Sequence, residues 1–452
     1  MCTSFSGIHA QVLSLKDAVQ TALANYGSVK AKTNYVNSAK ALVKEARQEA
    51  LPDFILSAQH DYGTINGING PANAFKGGAA ASSGPALATG NWHAAFGALY
   101  LANINWDFYS FGKAKQKVNV YKLQLSLNES DLEQEKFQQQ VRVSAAYLNL
   151  LAAQRLTASQ QNNLHRATAL RNVVVARVKN GLNAGVDSSL ANAEVSNAKI
   201  TLLRALDYEH EQSNQLAILM GVTDTAFILD TVFLTRIPAA AVDAVKAIPS
   251  THPLLQLYQN RIALSNATAK YYHTFKYPTF SAFGIVQGRG SGFDYNYGIT
   301  NPNAFTHNYW DGINPVRGNY LLGIGIAWNI TSPLRAQQQV LAQQYQSKGL
   351  QDEYDLVNGQ LTNQLNLAAQ KMKNAIAAYT EAPIQIKAAG DAYLQKNVLY
   401  KNGLSNIVDV TQALYALNRA ETDRDIAYNN VWEALLLEAA ATGDFRIFIN
   451  EF

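Results

Sequence analysis

The two halves of the sequence repeat each other, and this duplication constrains the fold more than any other feature. The segment VKNGLNAGVD at residues 178–187 returns as YKNGLSNIVD at residues 400–409, with Gly403 lying 222 positions after Gly181. Two tryptophans share this spacing and two prolines lie 226 positions apart: Trp106 with Trp328, and Pro52 with Pro278. A constant spacing indicates that one structural unit is used twice.

Each half predicts the same order of elements: a helix, a proline, a strand, a long loop, a tryptophan-bearing strand, a very long helix, an Asn-Gly turn and a returning helix. Residues 1–11, MCTSFSGIHAQ, are uncharged and rich in small residues, so they fit either the tail of a secretory signal or a disordered N-terminus. The predicted divisions are an N-terminal tail at 1–12, a first repeat at 13–222, a side segment at 223–250, a second repeat at 251–443 and a C-terminal tail at 444–452.

Four segments alternate apolar with polar or small side chains, which predicts strands that have one apolar face. They lie at residues 53–63, 96–108, 279–287 and 321–331. An antiparallel sheet over a water-soluble core gives the same alternation. Three features favour a membrane barrel instead: strands of about 10 residues or more, aromatic side chains gathered at one strand end, and long connecting loops.

Two of the connecting loops are unusually long, at residues 64–93 and 288–319. They are rich in Gly, Ala, Asn and aromatic residues and show no helical period. Such loops are uncommon inside compact domains and ordinary at the outer surface of a membrane barrel. Four strands cannot close a barrel, and an open sheet edge in lipid leaves backbone groups without partners. If this sheet lies in a membrane, several chains must contribute strands to it.

Two proline-poor runs predict very long helices, at residues 112–180 and 334–402. Each has 69 residues and would span roughly 100 Å if continuous. Only Pro383 interrupts the second run, and it predicts a kink there. Returning helices are predicted at 187–219 and 253–276. Stripes of Ala and Leu beside Gln and Asn faces are typical of coiled coils, so a plain structural rod is the alternative interpretation.

The repeated Lys-Asn-Gly segment predicts the tip of a helical hairpin in each half. Gly181 and Gly403 supply the left-handed conformation that ends a helix. Asp187 and Asp409 are predicted to cap the returning helices. Turn chemistry alone explains these residue types. It does not explain their recurrence at one register, which favours two tips that meet a partner at the same depth.

Taken together, these features resemble the TolC family of outer-membrane efflux and export channels. The resemblance extends from Leu13 to about Gly443, and five stretches carry it: ALPDFILSAQ, WDFYSFGKAKQ, VRVSAAYLNLLAAQ, RVKNGLNAGVDSSLANAE and LYKNGLSNIVDVTQAL. It implies a mixed α and β membrane protein, a homotrimer in which each chain gives four strands to a twelve-stranded β-barrel. Two helical hairpins from each chain would continue the barrel as a long antiparallel α-helical barrel in the periplasm.

The resemblance also implies roles for individual residues. In the family, the tips meet a periplasmic adaptor protein. The predicted docking residues here are Arg177, Lys179, Gly181, Leu182, Asp187, Lys401, Gly403 and Leu404. Aromatic side chains near one end of the strands are predicted to lie at the membrane interface: Trp106, Phe108 and Trp328.

The sequence departs from the family just after the second tip. Some members carry two aspartates, three residues apart, that form rings at the periplasmic constriction. Here Asp409 holds the first position and Gln412 the second, so a trimer would have one carboxylate ring instead of two. The prediction is a weaker constriction in which Asp409 faces the pore and amides stand behind it. A plain helix-capping role for Asp409 is the alternative.

Other classes of function find little support. The net charge of +4 comes without a Lys/Arg cluster, which argues against nucleic acid, and the one cysteine, Cys2, cannot build a disulfide framework or a cysteine metal site. No apolar stretch of about 18 residues predicts a transmembrane helix. The Glu209-His210-Glu211 run falls on different sides of a helix, and the Gly-rich run at 288–292 lacks a phosphate-binding lysine. His60 and His93 are predicted to be single surface or lumen side chains.

We therefore predict no enzyme, no cofactor and no metal site. The predicted function is a passive trimeric duct in the outer membrane of a Gram-negative bacterium, with a large periplasmic part. It would pass solutes delivered by an inner-membrane transporter through a periplasmic adaptor, as in tripartite efflux or type I secretion. A soluble periplasmic coiled-coil scaffold is the alternative. The cargo, whether drug, metal or protein, stays open.

Overall fold

The structure is a computed structural model of the whole chain. It describes residues 12–66, 69–75, 78–83, 87–223, 225–231, 236–238 and 251–451, with only the backbone described for 69–75 and 78–83. The predicted N-terminal tail, apart from residue 12, and most of the predicted side segment at 223–250 lie outside these residues.

The chain forms two compact units, each assembled from separate segments. Unit 1 comprises Met1–Ser38, Ser126–Ile262 and Lys348–Phe452, and unit 2 comprises Ala39–Leu125 and Ala263–Ser347. These units are defined by contacts in space. The predicted division along the sequence, into two repeats with tails and a side segment, stays a prediction.

Nine helices lie within the described residues, and two of them are very long. They are α1 Leu15–Asn25, α2 Gly27–Gln48, α3 Lys113–Lys179, α4 Gly185–Met220, α5 Pro253–His273, α6 Tyr309–Ile313, α7 Ser332–Lys401, α8 Ile407–Thr442 and α9 Arg446–Ile449. The long helices α3 and α7 agree with the sequence prediction within two residues at each end, and α7 continues through Pro383. Among the described helices, none is long and apolar enough to cross a membrane.

Unit 2 contains an antiparallel sheet of four strands: β1 Asp53–Thr64, β4 Ala94–Tyr109, β5 Thr279–Ser291 and β6 Arg317–Ala327. They pair in the order β1, β4, β5, β6. A row of cross-strand neighbours runs through all four strands: Leu56 with Ala102, Ala102 with Val286, and Val286 with Tyr320. The four predicted strands are therefore present, and they form one sheet whose edges are β1 and β6.

Two strand predictions need correction. The last strand, predicted at 321–331, runs from Arg317 to Ala327. It ends there because the Asn329 side chain accepts from the Thr331 N–H (3.1 Å) and turns the backbone toward α7. The first long loop, predicted at 64–93 without regular structure, contains the paired strands β2 Asn69–Phe75 and β3 Gly78–Ser83. Its Gly- and Ala-rich sequence carries no clear apolar alternation, so the hairpin gave no signal.

The two faces of the four-stranded sheet differ in what they expose. One face carries large apolar side chains, most of which the described residues leave exposed; Leu322 and Ile324 each expose 73% of their surface. On the other face the Phe283 ring crosses Gly323, where an added Cβ would lie 2.4 Å from the ring. Gly323 is thus required by close approach, whereas much of the apolar face stays exposed.

Unit 1 holds the largest hydrophobic core. Helices α1, α3, α4, α8 and α9 bury a continuous cluster that includes Tyr147, Leu216, Trp432 and Phe448. The Tyr147 hydroxyl donates to the Leu13 carbonyl at 2.8 Å and accepts from the Asp230 N–H at 3.0 Å. Burial of this hydroxyl raises the pKa of Tyr147 well above its usual range. These bonds fasten the segment before α1 and the segment after α4 to the core.

Candidate functional site

The two predicted hairpin tips in unit 1 end their first helices in the same way. Gly181 and Gly403 have left-handed backbones, with φ of 74° and 78°. In each tip the glycine N–H bonds the carbonyl three residues back, at 3.0 Å in both. The leucine that follows, Leu182 or Leu404, bonds the carbonyl five residues back, at 2.9 and 2.8 Å. This double hydrogen bond is the Schellman motif, which glycine favours because it has no Cβ to clash.

The starts of the returning helices differ from the prediction. The residue before α4 is Ala184, which makes no side-chain cap, and Asp187 lies in the first turn with its carboxylate accepting from Asn183 at 2.7 Å. Before α8, the Asn406 side chain accepts from the Asp409 N–H at 2.9 Å. The prediction that the two aspartates are N-caps was wrong. An N-cap lies two or three residues before the N–H that it binds, and both aspartates lie beyond that position.

Asp409 is paired with a lysine of its own chain. Its Oδ2 atom accepts from Lys396 Nζ on α7 at 3.0 Å and from Ser405 Oγ at 3.0 Å. The hydrogen bond from Lys396, followed by that from Ser405, lowers the pKa of Asp409 below its ordinary value. The side chain keeps 35% of its surface exposed, and Gln412, one turn further along α8, is exposed as well. The carboxylate is accessible, but its charge is largely compensated.

Arg177 joins the end of the first hairpin to the end of the second. Its Nε donates to Asn183 Oδ1 at 2.8 Å, and its Nη1 donates to the Lys401 carbonyl at 2.7 Å. The guanidinium also lies over the Tyr400 ring, 5.6 Å from the centroid. A cation at the carbonyl end of a helix is favourable, and so is a cation above an aromatic face. Arg177 therefore holds α7 at its last turn.

Apolar and basic side chains project from both tips. Leu182 and Leu404 expose 65% and 74% of their surface, and Val186 and Val408 are exposed as well. Each of these pairs is 222 residues apart, so the two tips present the same apolar residues. Two exposed lysines accompany them: Lys179 and Lys401. Both leucines are thus mostly exposed in the described part of the chain, although leucine is usually buried.

Polar groups also lie between the helices further from the tips. Arg166 on α3 donates to both carboxylate oxygens of Glu421 on α8, at 2.9 and 2.6 Å. The Tyr415 hydroxyl on α8 donates to Glu194 on α4, and burial together with this bond raises the pKa of Tyr415 to about 12. Bidentate arginine pairs are strongly directional. The two hairpins are thus joined by polar contacts as well as by apolar packing.

In unit 2, the two repeated tryptophans make equivalent contacts. The Trp106 indole donates to the Ala50 carbonyl at 3.0 Å, and the Trp328 indole donates to the Lys276 carbonyl at 3.1 Å. Each carbonyl lies two residues before the proline that precedes a strand. Both rings stay half exposed, and Phe108 lies 6.0 Å from Trp106. Such amphipathic rings, with the polar atom satisfied, suit a membrane–water boundary.

The other residues singled out in the sequence do not form a catalytic site. Both ring nitrogens of His60 lie 2.9 Å from tyrosine hydroxyls, those of Tyr100 and Tyr309. His93 stacks on Phe305 with ring centroids 4.6 Å apart. In the part of the chain that the structure describes, no group of three or more His, Cys, Asp or Glu could hold a metal.

Several tip residues escaped the sequence analysis. Lys396 lies on α7 before the repeated segment and Tyr400 is the first residue of that segment, while Asn183 and Asn406 lie inside the turns. The only available signal was the preference of asparagine for helix starts, which could have identified Asn406.

Comparisons with known proteins agree with this architecture. Residues 18–222 match the model of the outer membrane efflux protein family. No curated protein sequence matches the chain significantly. The match to residues 18–222 confirms the resemblance predicted from the sequence, and this family consists of outer-membrane channels and not of enzymes.

Solved structures extend the likeness to nearly the whole chain. The outer membrane protein VceC from Vibrio cholerae has a TM-score of 0.73 at 14% identity, covering 95% of this chain and 96% of its own. The CmeC outer membrane channel from Campylobacter jejuni has a TM-score of 0.71 at 15% identity, and the match covers 95% of this chain and 85% of CmeC. The open state of the MtrE outer membrane channel from Neisseria gonorrhoeae has a TM-score of 0.71 at 16% identity, and the match covers 98% of this chain and 94% of MtrE. At such low identity, the likeness establishes the fold.

Proposed function

From residues 18–222, which carry the sequence pattern of the outer membrane efflux protein family, we infer that this chain forms an outer-membrane efflux channel with a helical periplasmic part. The observation that carries this proposal is the uncovered apolar face of the four-stranded sheet, in a chain that shares its fold with outer-membrane channels. In water, exposed leucines and isoleucines on one sheet face promote aggregation, whereas lipid solvates them.

The channel is a homotrimer. The sheet has only four strands and two open edges, β1 and β6, and open edges are not tolerated in lipid because their backbone groups lack partners. Pairing β1 of one chain with β6 of the next closes twelve strands from three chains into a barrel. The internal duplication then supplies each chain with two equivalent strand pairs and two equivalent hairpins.

Transport through the channel is passive. An inner-membrane transporter supplies the energy, and a periplasmic adaptor holds it to the channel in the cell envelope of a Gram-negative bacterium. The chemistry of the chain gives no preference for one cargo. The alternative, a soluble periplasmic scaffold, shares the long helices but leaves the apolar sheet face in water without a function.

The tips are the surface that meets the adaptor. Leu182 and Leu404 are supported in this role by their exposure and by the identical turns that present them, and the exposed Lys179 and Lys401 supply charge beside them. Changing both leucines to asparagine should abolish export in cells while trimer formation and single-channel conductance stay unchanged. Leu190, exposed on α4, provides a matched control whose change to asparagine leaves export intact.

The constriction of the pore is formed by Asp409 and Gln412 of three chains. Because Lys396 pairs with each Asp409, the ring attracts divalent cations weakly. Asp409→Asn should reduce block of the conductance by divalent cations, Lys396→Met should strengthen it, and Gln412→Asp should strengthen it by adding a second ring. Equal block in all three variants and the native protein would mean that Asp409 only stabilises its helix.

The channel proposal itself is tested by fractionating membranes of cells that express the protein with an export signal. We expect a detergent-extracted trimer in the outer-membrane fraction, with conductance after reconstitution into bilayers. A monomer or dimer in the soluble periplasm would overturn the proposal in favour of the scaffold.

A further inference from the structure

We propose that the short loop helix α6, with Trp310 at its surface, seats on the apolar sheet face and lies in the outer leaflet of the lipid bilayer. This inference rests on the proposed channel function, since it presumes that the sheet is in a membrane. It assigns the second boundary of the membrane to a loop element, whereas Trp106, Phe108 and Trp328 mark only the first.

Contacts fix α6 to the apolar face. Along β4 the side chains alternate, so Phe96 and Tyr100 share a face with Trp106. The Tyr100 hydroxyl donates to the Ile313 carbonyl at the end of α6, at 3.1 Å. Gly312 lies directly against Phe96, where an added Cβ would come within 2.5 Å of the Phe96 Cβ. The helix therefore lies flat on the face that the channel would turn to lipid.

Aromatic rings continue from the strand to the surface of α6. Phe96 contacts Tyr309 edge to face at 5.1 Å, and Tyr309 contacts Trp310 edge to face at 5.3 Å. Tyr62 on β1 joins the same cluster, 4.7 Å from Phe96. Trp310 exposes 72% of its surface. An exposed tryptophan supported by tyrosines is typical of a membrane boundary, where the rings sit at headgroup level.

The spacing between the two aromatic groups matches a bilayer. Phe96 and Trp106 are ten residues apart on β4, or roughly 34 Å along an antiparallel strand. With a strand tilt of about 40°, this separation is roughly 26 Å along the membrane normal, close to the apolar height of about 25 Å of outer-membrane barrels. Between the two groups this face exposes the apolar side chains Leu56, Ile104, Val286, Leu322 and Ile324. It also exposes His60, whose two ring nitrogens each lie 2.9 Å from a tyrosine hydroxyl, those of Tyr100 and Tyr309.

Charged groups of the neighbouring strands point away from this surface. Arg289 and Arg317 are paired across β5 and β6 in a register that places both on the opposite face of the sheet from Val286 and Leu322. The surface from Trp106 to Trp310 therefore carries no arginine; its polar side chains are His60, which is hydrogen-bonded to two tyrosines, and Asp311, which is exposed beside Trp310 on α6. Because α6 and the apolar strand face form one surface, we take lipid to cover both. A protein partner would have to bind a surface that the bilayer already contacts.

The test uses tryptophan quenching by brominated lipids in reconstituted trimers. Every variant keeps Trp432, which is buried in the core of unit 1 and gives the baseline. One variant keeps Trp106 as well, a second keeps Trp310 instead, and a third keeps Trp432 alone, with the remaining tryptophans changed to phenylalanine. A fourth adds Gly312→Ala to the Trp310 variant. Vesicles carry bromine either near the headgroups or near the chain ends.

We expect strong quenching of both Trp106 and Trp310, greater with bromine near the headgroups, and a clear loss of Trp310 quenching in the Gly312→Ala variant. If Trp106 is quenched but Trp310 gives only the signal of the variant that keeps Trp432 alone, this inference is overturned and the proposed channel function is not. Baseline signals from both would overturn the membrane position of the sheet, and with it the channel. Quenching of Trp310 that is unaffected by Gly312→Ala would overturn the proposed seat on Phe96.

Discussion

The two hairpin tips share a backbone but differ in their electrostatics. Gly181 and Gly403 end their helices with the same two hydrogen bonds. Asp187 and Asp409 then occupy equivalent positions, yet the first accepts from the neutral Asn183 and the second from the cationic Lys396. The two tips thus share the turn but differ in the charge around the acidic residue. We infer that the turn serves a role common to both tips, and that the second tip has an additional one.

The largest expected effect tests what the tips share. Gly181→Val and Gly403→Val each force a β-branched residue into a left-handed backbone and should each lower the free energy of unfolding by about 2 kcal/mol. Thermal unfolding of the protein measures both. Because the turns are alike, equal losses are expected, and a loss at one tip alone would show that the turns are not equivalent. Gly349→Val is the matched control, because Gly349 lies inside α7 with a helical backbone and an added Cβ there meets no atom. It measures the effect of a glycine-to-valine change without the left-handed backbone.

The next effect concerns Arg177, which only the first tip possesses. Arg177→Ala removes the bonds to Asn183 and to the Lys401 carbonyl, and also the contact with Tyr400. Stability should fall by about 1–2 kcal/mol, and amide exchange at the end of α7 should quicken. Lys401→Ala is the matched control, because the bond uses its backbone carbonyl. Equal effects of the two changes would contradict the assigned role of Arg177.

A smaller effect tests the difference in helix starts. Asn406→Ala should cost about 1 kcal/mol, since the Asp409 N–H loses its acceptor. At the equivalent place in the first tip, Ala184→Asn should give a gain of similar size, because no side chain caps α4. Chemical denaturation measures both changes. If Ala184→Asn does not stabilise the protein, the two helix starts differ in more than their cap residue.

The smallest effect is a dependence on pH. Because Lys396, and then Ser405, lower the pKa of Asp409 in the folded protein, its contribution to stability is present above the ordinary carboxyl pKa of 3.8 and is lost as the pH falls through the lowered value. Melting temperatures of the native protein and Asp409→Asn should differ near neutral pH and converge in strong acid. A constant difference across this range would show that the pairing with Lys396 contributes nothing.

The sequence predicted the repeated elements well because their physics is local. Alternating side chains marked the four strands of the main sheet, and proline-poor runs marked α3 and α7. Gly181 and Gly403 were identified as helix ends because few other residues adopt a left-handed backbone. Each of these signals lies within a few neighbouring residues, so no knowledge of the tertiary structure was needed.

What escaped prediction depends on contacts between distant segments. Lys396 meets Asp409 only because α7 and α8 lie side by side, and Arg177 reaches Lys401 across 224 residues of sequence. Helix α6 has five residues, too few to show a helical period, and its position depends on Gly312 meeting Phe96. The aspartates were misassigned as caps because aspartate is as good a cap as asparagine, and only the register decides between them.

The twin indole bonds have a consequence for how such a chain can change over generations. Trp106 and Trp328 fasten the two ends of each strand pair to carbonyls that precede Pro52 and Pro278. Yet 54 residues separate Pro52 from Trp106, and 50 separate Pro278 from Trp328. The four-residue difference has been absorbed between the fastened ends without moving either tryptophan. Insertions and deletions should therefore be tolerated between the fastened ends, so this stretch is where the length of the chain is free to vary.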